Sequence, residues 1–97
     1  TTSIWEMKTF IIICEDKKNS LKKRLENREH HLNHLKSLKK DLILAGPTLD
    51  ADGNPNGSIL IINFTNKIEL QKFLEKDPYV KENLFKSVLI KNFKRVF

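Results

Sequence analysis

Phe10-Ile11-Ile12-Ile13-Cys14 decides how this 97-residue chain is read. The run is apolar at every position, rich in β-branched residues and too short for a helix, so it predicts a buried strand. Residues 59–64 repeat the pattern and predict another. An antiparallel strand with one wet face should alternate apolar with polar. These two do not alternate, so both of their faces need cover.

Working outward, residues 20–41 predict an amphipathic helix with Ser20 at its N-cap. Residues 42–45 form a strand closed by the Gly46-Pro47 breaker, and a turn-rich stretch follows through Gly57. Asn66 with Glu69 three residues on is a capping box for a second helix through Lys76. Asp77-Pro78 ends that helix, because a residue before proline is pushed out of the α region. A helical turn follows around residues 79–84, and the last strand spans 87–97. Two strand–helix–strand crossovers joined by a hairpin predict an α+β, ferredoxin-like βαββαβ sandwich, a four-stranded antiparallel sheet with two helices on one face. The open face is then expected to meet a second copy, giving a homodimer joined sheet to sheet.

Composition limits what else the chain can be. Ninety-seven residues allow one domain, here 7–97, and residues 1–6 read as an upstream extension or a cloning remnant. No apolar run approaches the roughly 20 residues that cross a bilayer, so no membrane partner is expected. The single Cys14 cannot form an internal disulfide, which fits a reducing, cytoplasmic setting. The net charge is +6, but fifteen of the eighteen basic residues are lysines spread along the chain. The densest cluster (Lys17, Lys18, Lys22, Lys23, Arg24) has no interleaved aromatic to stack on a base, so it reads as solvated surface without specific nucleic-acid binding.

Within the long helix, Leu21, Leu25, Leu32, Leu35 and Leu38 recur by threes and fours, and Arg28 falls near the middle of their stripe. His31 lies on its flank. A cation among leucines costs several kcal/mol, roughly, unless it is paired. A buried acid or a ligand-holding cavity is therefore expected at Arg28. Asp77 continues the apolar phase of Leu70, Phe73 and Leu74, so it can face the neighbouring helix. A carboxylate bonded to one imidazole nitrogen fixes the tautomer and leaves the other nitrogen free to accept a proton. Arg28 could then clamp a ligand anion. The same residues also suit a structural network that holds the helices in register.

The ordered segments Cys14-Glu15-Asp16-Lys17, Arg28-Glu29-His30-His31-Leu32, Leu44-Ala45-Gly46-Pro47, Gly57-Ser58, Asp77-Pro78-Tyr79 and Phe93-Lys94-Arg95-Val96-Phe97 resemble the YciI-like (YCII-related) proteins of the dimeric α+β barrel superfamily. The resemblance spans residues 7–97. Glu29 and Asn92 depart from it, standing where proline is usual. It implies a ferredoxin-like protomer paired into a barrel, and a small cavity with a histidine–aspartate catalytic pair, here His31 and Asp77. That superfamily includes lactone isomerases, monooxygenases and dehydrochlorinases.

Other patterns are weaker. His30 and His34 stand four apart, as two metal ligands can, but lie opposite the leucine stripe and read as exposed. Asp50-x-Asp52-x-Asn54 begins like a calcium loop, yet Pro55 replaces its glycine and Ile61 its glutamate. Ser58 lacks a nucleophile elbow but could present its hydroxyl at the cavity mouth, and Tyr79 could donate to a ligand. Cys14 reads as a core thiol. The expected function is therefore lyase- or isomerase-type acid–base chemistry on a small organic anion, without metal or cofactor. His31 accepts the proton, Asp77 orients it, and Arg28, Ser58 and Tyr79 bind the substrate. A non-catalytic ligand-binding or interaction module is the second reading.

Overall fold

The computed structural model describes residues 7–97, so the expectation for residues 1–6 lies outside the described residues. The elements are β1 (Lys8–Asp16), α1 (Leu21–Lys36), β2 (Leu42–Leu49), β3 (Pro55–Phe64), α2 (Lys67–Glu75), α3 (Pro78–Lys81) and β4 (Phe85–Asn92). The sheet has the order β2-β3-β1-β4 with every pairing antiparallel. This is the ferredoxin-like α+β fold. Among the described residues no helix is long and apolar enough to cross a membrane.

The central pair sets the register. Phe10 faces Ile62 and Ile12 faces Leu60 across β1 and β3. With alternate side chains on opposite faces, these four point toward the helices, where Leu35, Leu70 and Leu74 close the core. Ile12, Ile62 and Leu70 are wholly buried. The opposite face carries Ile11, Ile13, Ile59 and Ile61, all half-buried, with Leu44 of β2 and Leu89 of β4 about half exposed. Nothing on the described chain covers that face.

Several boundaries differ from the sequence reading for local reasons. β2 runs through Gly46-Pro47 instead of stopping there, because it is an edge strand and proline's missing N–H breaks no ladder on that side. α1 ends at Lys36, short of 41. Ser37 Oγ donates to the His34 carbonyl (2.6 Å), and Lys39, which opens a 3-10 turn over Lys39–Asp41, adopts φ 53°, a left-handed conformation that an α-helix cannot continue through. Ser20 occupies the N-cap, but its hydroxyl donates to the Lys18 carbonyl rather than capping. The Asn66 cap forms as expected, its side chain accepting from Glu69 N at 2.8 Å. β4 ends at Asn92, so residues 93–97 lie beyond the sheet.

Gly57 sits where β1, β2 and β3 crowd together. A Cβ built there collides with the Cys14 carbonyl oxygen and Thr48 Oγ1. Backbone cannot yield as a flexible side chain can, so Gly57→Ala is expected to cost about 1–3 kcal/mol, read as a lower urea midpoint at unchanged slope.

Candidate active site

The layer between sheet and helices changes character along its length. On β1 the helix-facing positions run Phe10, Ile12, Cys14, Asp16; on β3 they run Ile62, Leu60, Ser58. On α1 they run Leu35, His31, Arg24, all buried. All three series pass from apolar to polar toward the same end. There lies a cavity of ≈ 170 Å³, walled by Arg24, His31, Ser58 and Tyr79 among polar side chains and by Leu32, Leu35 and Leu60 among apolar ones.

Arg24 is the buried cation of α1, at 4 % exposure, and Arg28 is not. This corrects the expectation built on the leucine stripe. The buried face of α1 passes through 24, 31 and 35, leaving Leu25 57 % exposed. Arg28 is exposed, lines the cavity at its mouth, and has no salt bridge among the described residues. Counting leucines concealed this geometry. The available signal was Arg24 standing seven residues, two turns, before His31, with an acid nearby at Asp16.

Arg24 Nε donates to Asp16 Oδ2 at 2.6 Å, and Nη2 donates to Asp16 Oδ1 at 2.8 Å and to Ser58 Oγ at 2.9 Å. Burial opposes the guanidinium charge, but the hydrogen bonds and charge of Asp16 outweigh it and hold the Arg24 pKa above its ordinary value. A shift in the β1–β4 register between Glu15 and Asp16 interrupts the ladder where Asp16 meets this cation. Ser58 is thus committed to Arg24, a role the sequence reading did not give it.

His31 Nδ1 lies 2.8 Å from both oxygens of Asp77. A carboxylate only accepts, so Nδ1 carries the hydrogen that bonds it, and in the neutral ring Nε2 holds the lone pair. Asp77 does more than close α2. It is the N-cap of α3, accepting from Tyr79 N at 2.9 Å, and Pro78 occupies the first turn, where its missing N–H is harmless. The cap therefore ties the carboxylate to both helices. Tyr79 stacks on His31 with centroids 3.9 Å apart and planes 10° apart. The guanidinium carbon of Arg24 sits 4.8 Å from the centre of the same ring.

Among the described residues Nε2 of His31 has no hydrogen-bond partner, and no buried side-chain nitrogen or oxygen is left without one. Nε2 is therefore open to the cavity that His31 lines. Of the five residues singled out by sequence, His31, Arg28, Ser58 and Tyr79 line this cavity, and Asp77 backs it.

Two neighbours behave differently from expectation or extend it. His34 is half-buried, not solvated: Nε2 is bonded to the Phe73 carbonyl (2.8 Å) and the ring stacks on Phe73 at 4.1 Å. It fastens α1 to α2, while His30 is exposed. Cys14 is buried, and its thiol is pushed from 9.0 up to about 12, first by burial and then by the charge of Asp77, with Arg24 opposing. Burial also raises the Tyr79 hydroxyl. Between pH 9.0 and about 12 the unfolded chain has lost a Cys14 proton that the folded chain keeps, so stability falls as pH rises through that window. The loss is about 1 kcal/mol over the first pH unit. Cys14→Ala is expected to flatten this alkaline slope in urea midpoints, and native Cys14 is expected to resist alkylation.

The sequence matches the YCII-related domain family over residues 8–94. It is 38% identical over 96 residues to an uncharacterized protein of Haemophilus influenzae, covering 91% of this chain and 98% of that one. It is 35% identical to Protein YciI of Escherichia coli, again covering 91% of this chain and 98% of the relative. Its backbone is similar to that of 5-chloro-2-hydroxyhydroquinone dehydrochlorinase from Burkholderia phenoliruptrix, solved in complex with 2,5-dihydroxybenzoquinone. That match has a TM-score of 0.84 and 34% identity, and covers 89% of this chain and 93% of that chain.

Proposed function

The chain belongs to the YCII-related domain family, and from that membership and the cavity's geometry we propose a cofactor-independent acid–base reaction, of lyase or isomerase type, on a small cyclic organic molecule held as an anion. One observation carries the reading: Nε2 of His31 faces a hollow while Nδ1 is fixed by Asp77 at 2.8 Å. His31 is the proton acceptor. Asp77 is its positioning residue and holds the tautomer. Tyr79 and Arg24 form the inner wall, and Arg28 attracts anionic groups at the mouth.

The cavity volume supports the substrate's size. About 150 Å³ of enclosed apolar space holds one benzene ring, and ≈ 170 Å³ is present here. The similar dehydrochlorinase acts on a chlorinated hydroxyhydroquinone and was solved with a dihydroxybenzoquinone. A single six-membered ring bearing hydroxyl or keto oxygens is the substrate class this supports. The test is turnover of halogenated hydroxyquinols by the wild-type chain and by His31→Ala. Activity that survives the substitution ends the proposal, and saturable binding without any turnover favours the non-catalytic module.

The homodimer belongs to the same proposal. Ile11, Ile13, Ile59, Ile61, Leu44 and Leu89 make one apolar face that the helices do not cover. Burying such a face in water's absence is favourable by about 25 cal/mol per Å². Ile13→Lys is expected to halve the solution mass while leaving the fold intact, as read by light scattering and circular dichroism. A wild-type monomer at every dilution counts against the pairing.

A further inference from the structure

We infer that Ala45, on the helix-facing side of β2, sets how large a ring the cavity admits, because its short side chain leaves open the direction in which ring substituents extend. This role rests on the single-ring substrate class proposed above and adds the residue that limits it.

The cavity is closed on one side and open on the other. Leu35, Leu60, Ser58 and Tyr79 line it from within and are each at most 3 % exposed. Leu25, Arg28, Ala45 and Pro47 also line it, and all four are exposed. About 150 Å³ of enclosed space already holds a benzene ring, and this hollow measures ≈ 170 Å³. A ring seated against the buried wall fills most of that volume. Its halogen or other substituents then have to point toward the exposed side.

The register of β2 explains why that side is open. Ala45 stands opposite Leu60 and Pro47 opposite Ser58, and both of those β3 residues face the helices. Pairing places Ala45 and Pro47 on the same face of the sheet. Leu42, opposite Ile62, packs against the core cluster. At Ala45 the side chain stops at Cβ, so the space that a leucine would fill stays part of the cavity. Leu25 of α1, which lines the same space, is left 57 % exposed. Leu25 and Arg28 can turn aside by changing rotamer, whereas Ala45 is held by the β2–β3 ladder and cannot withdraw. Pro47 lies toward the polar end beside Ser58, so Ala45 is the β2 residue that borders the apolar wall. A larger residue at 45 therefore takes its volume from the substrate and not from the fold.

2,5-Dihydroxybenzoquinone, the molecule found in complex with the similar dehydrochlorinase, and its 3,6-dichloro derivative are the probes. Both are ionised near neutral pH, so they differ mainly in size. Their Kd values are to be measured by NMR titration on the wild-type chain, Ala45→Val and Ala45→Leu. Ala45→Val is expected to weaken the dichloro compound about tenfold more than its parent, the discrimination that a methylene in an apolar pocket supplies. Ala45→Leu is expected to weaken both by about a hundredfold. The urea midpoint of Ala45→Val is expected to stay at or above wild type, since the added carbons enter open space and valine suits a strand. Unchanged Kd values in both variants, or an equal loss for both quinones in Ala45→Val, overturn the inference and leave the proposed substrate class standing. A lowered midpoint in Ala45→Val means that the fold already packs position 45, and overturns it as well. Failure of the wild-type chain to bind either quinone overturns the substrate class and the inference with it.

Discussion

Asp77→Asn is expected to lower kcat by about three to four orders of magnitude while KM changes little. The substitution is nearly isosteric, and the asparagine carbonyl can still cap α3 by accepting from Tyr79 N. What changes is the other half of the side chain. The amide nitrogen meets His31 Nδ1 as a donor at the place of one carboxylate oxygen, which favours the tautomer with the ring hydrogen on Nε2. In that tautomer the nitrogen facing the cavity is a donor and cannot take a proton. A purely structural Asp77 predicts a different result. The cap survives, so stability would fall slightly and kcat would follow the folded fraction. The decisive readings are kcat and KM taken separately, together with the chemical shifts of the His31 ring nitrogens. An unchanged tautomer, or kcat within about tenfold of wild type, removes Asp77 from the mechanism.

How much of this was legible in the sequence depends on which interactions fix each part. The sheet was, because Phe10 to Cys14 and residues 59–64 are too continuously apolar for anything but central strands, and their partners follow from topology. The strand ends were not. Gly46-Pro47 reads as a breaker locally, and only the edge position of β2 makes proline acceptable there. The His31–Asp77 contact was anticipated from helix phase and from family resemblance. The identity of the buried cation was missed because Arg24 looks like one more member of a basic cluster. Its burial depends on Asp16 and Ser58, which come from two other strands. Long-range pairing of this kind leaves no periodic trace within the helix itself. Leucine spacing misled for a related reason: the cavity removes the packing that would bury Leu25, so hydrophobic phase and buried phase part company where the site lies.

Asp16→Ala should therefore be the most damaging single truncation for stability, at about 3–5 kcal/mol. Arg24 and Asp16 have side chains only 5% exposed, and they meet through two hydrogen bonds in a side-by-side geometry. Removing the carboxylate leaves a guanidinium that cannot lose its proton, with Ser58 Oγ as its remaining hydrogen-bond acceptor. Domains of this size are stable by about 5–15 kcal/mol in all, so the variant is expected to unfold at a far lower urea midpoint. Added salt should rescue little of the loss, since screening acts on exposed charges and not on buried ones. The cause can be separated from simple loss of packing. Asp16→Leu combined with Arg24→Met removes both charges at similar volume and is expected to recover most of the stability, because an apolar pair replaces a buried ion pair at little cost. Such a protein should nevertheless lose ring binding at the cavity, as Arg24 forms part of the wall. A double variant as unstable as Asp16→Ala would mean that the pair matters for its shape and not for its charge.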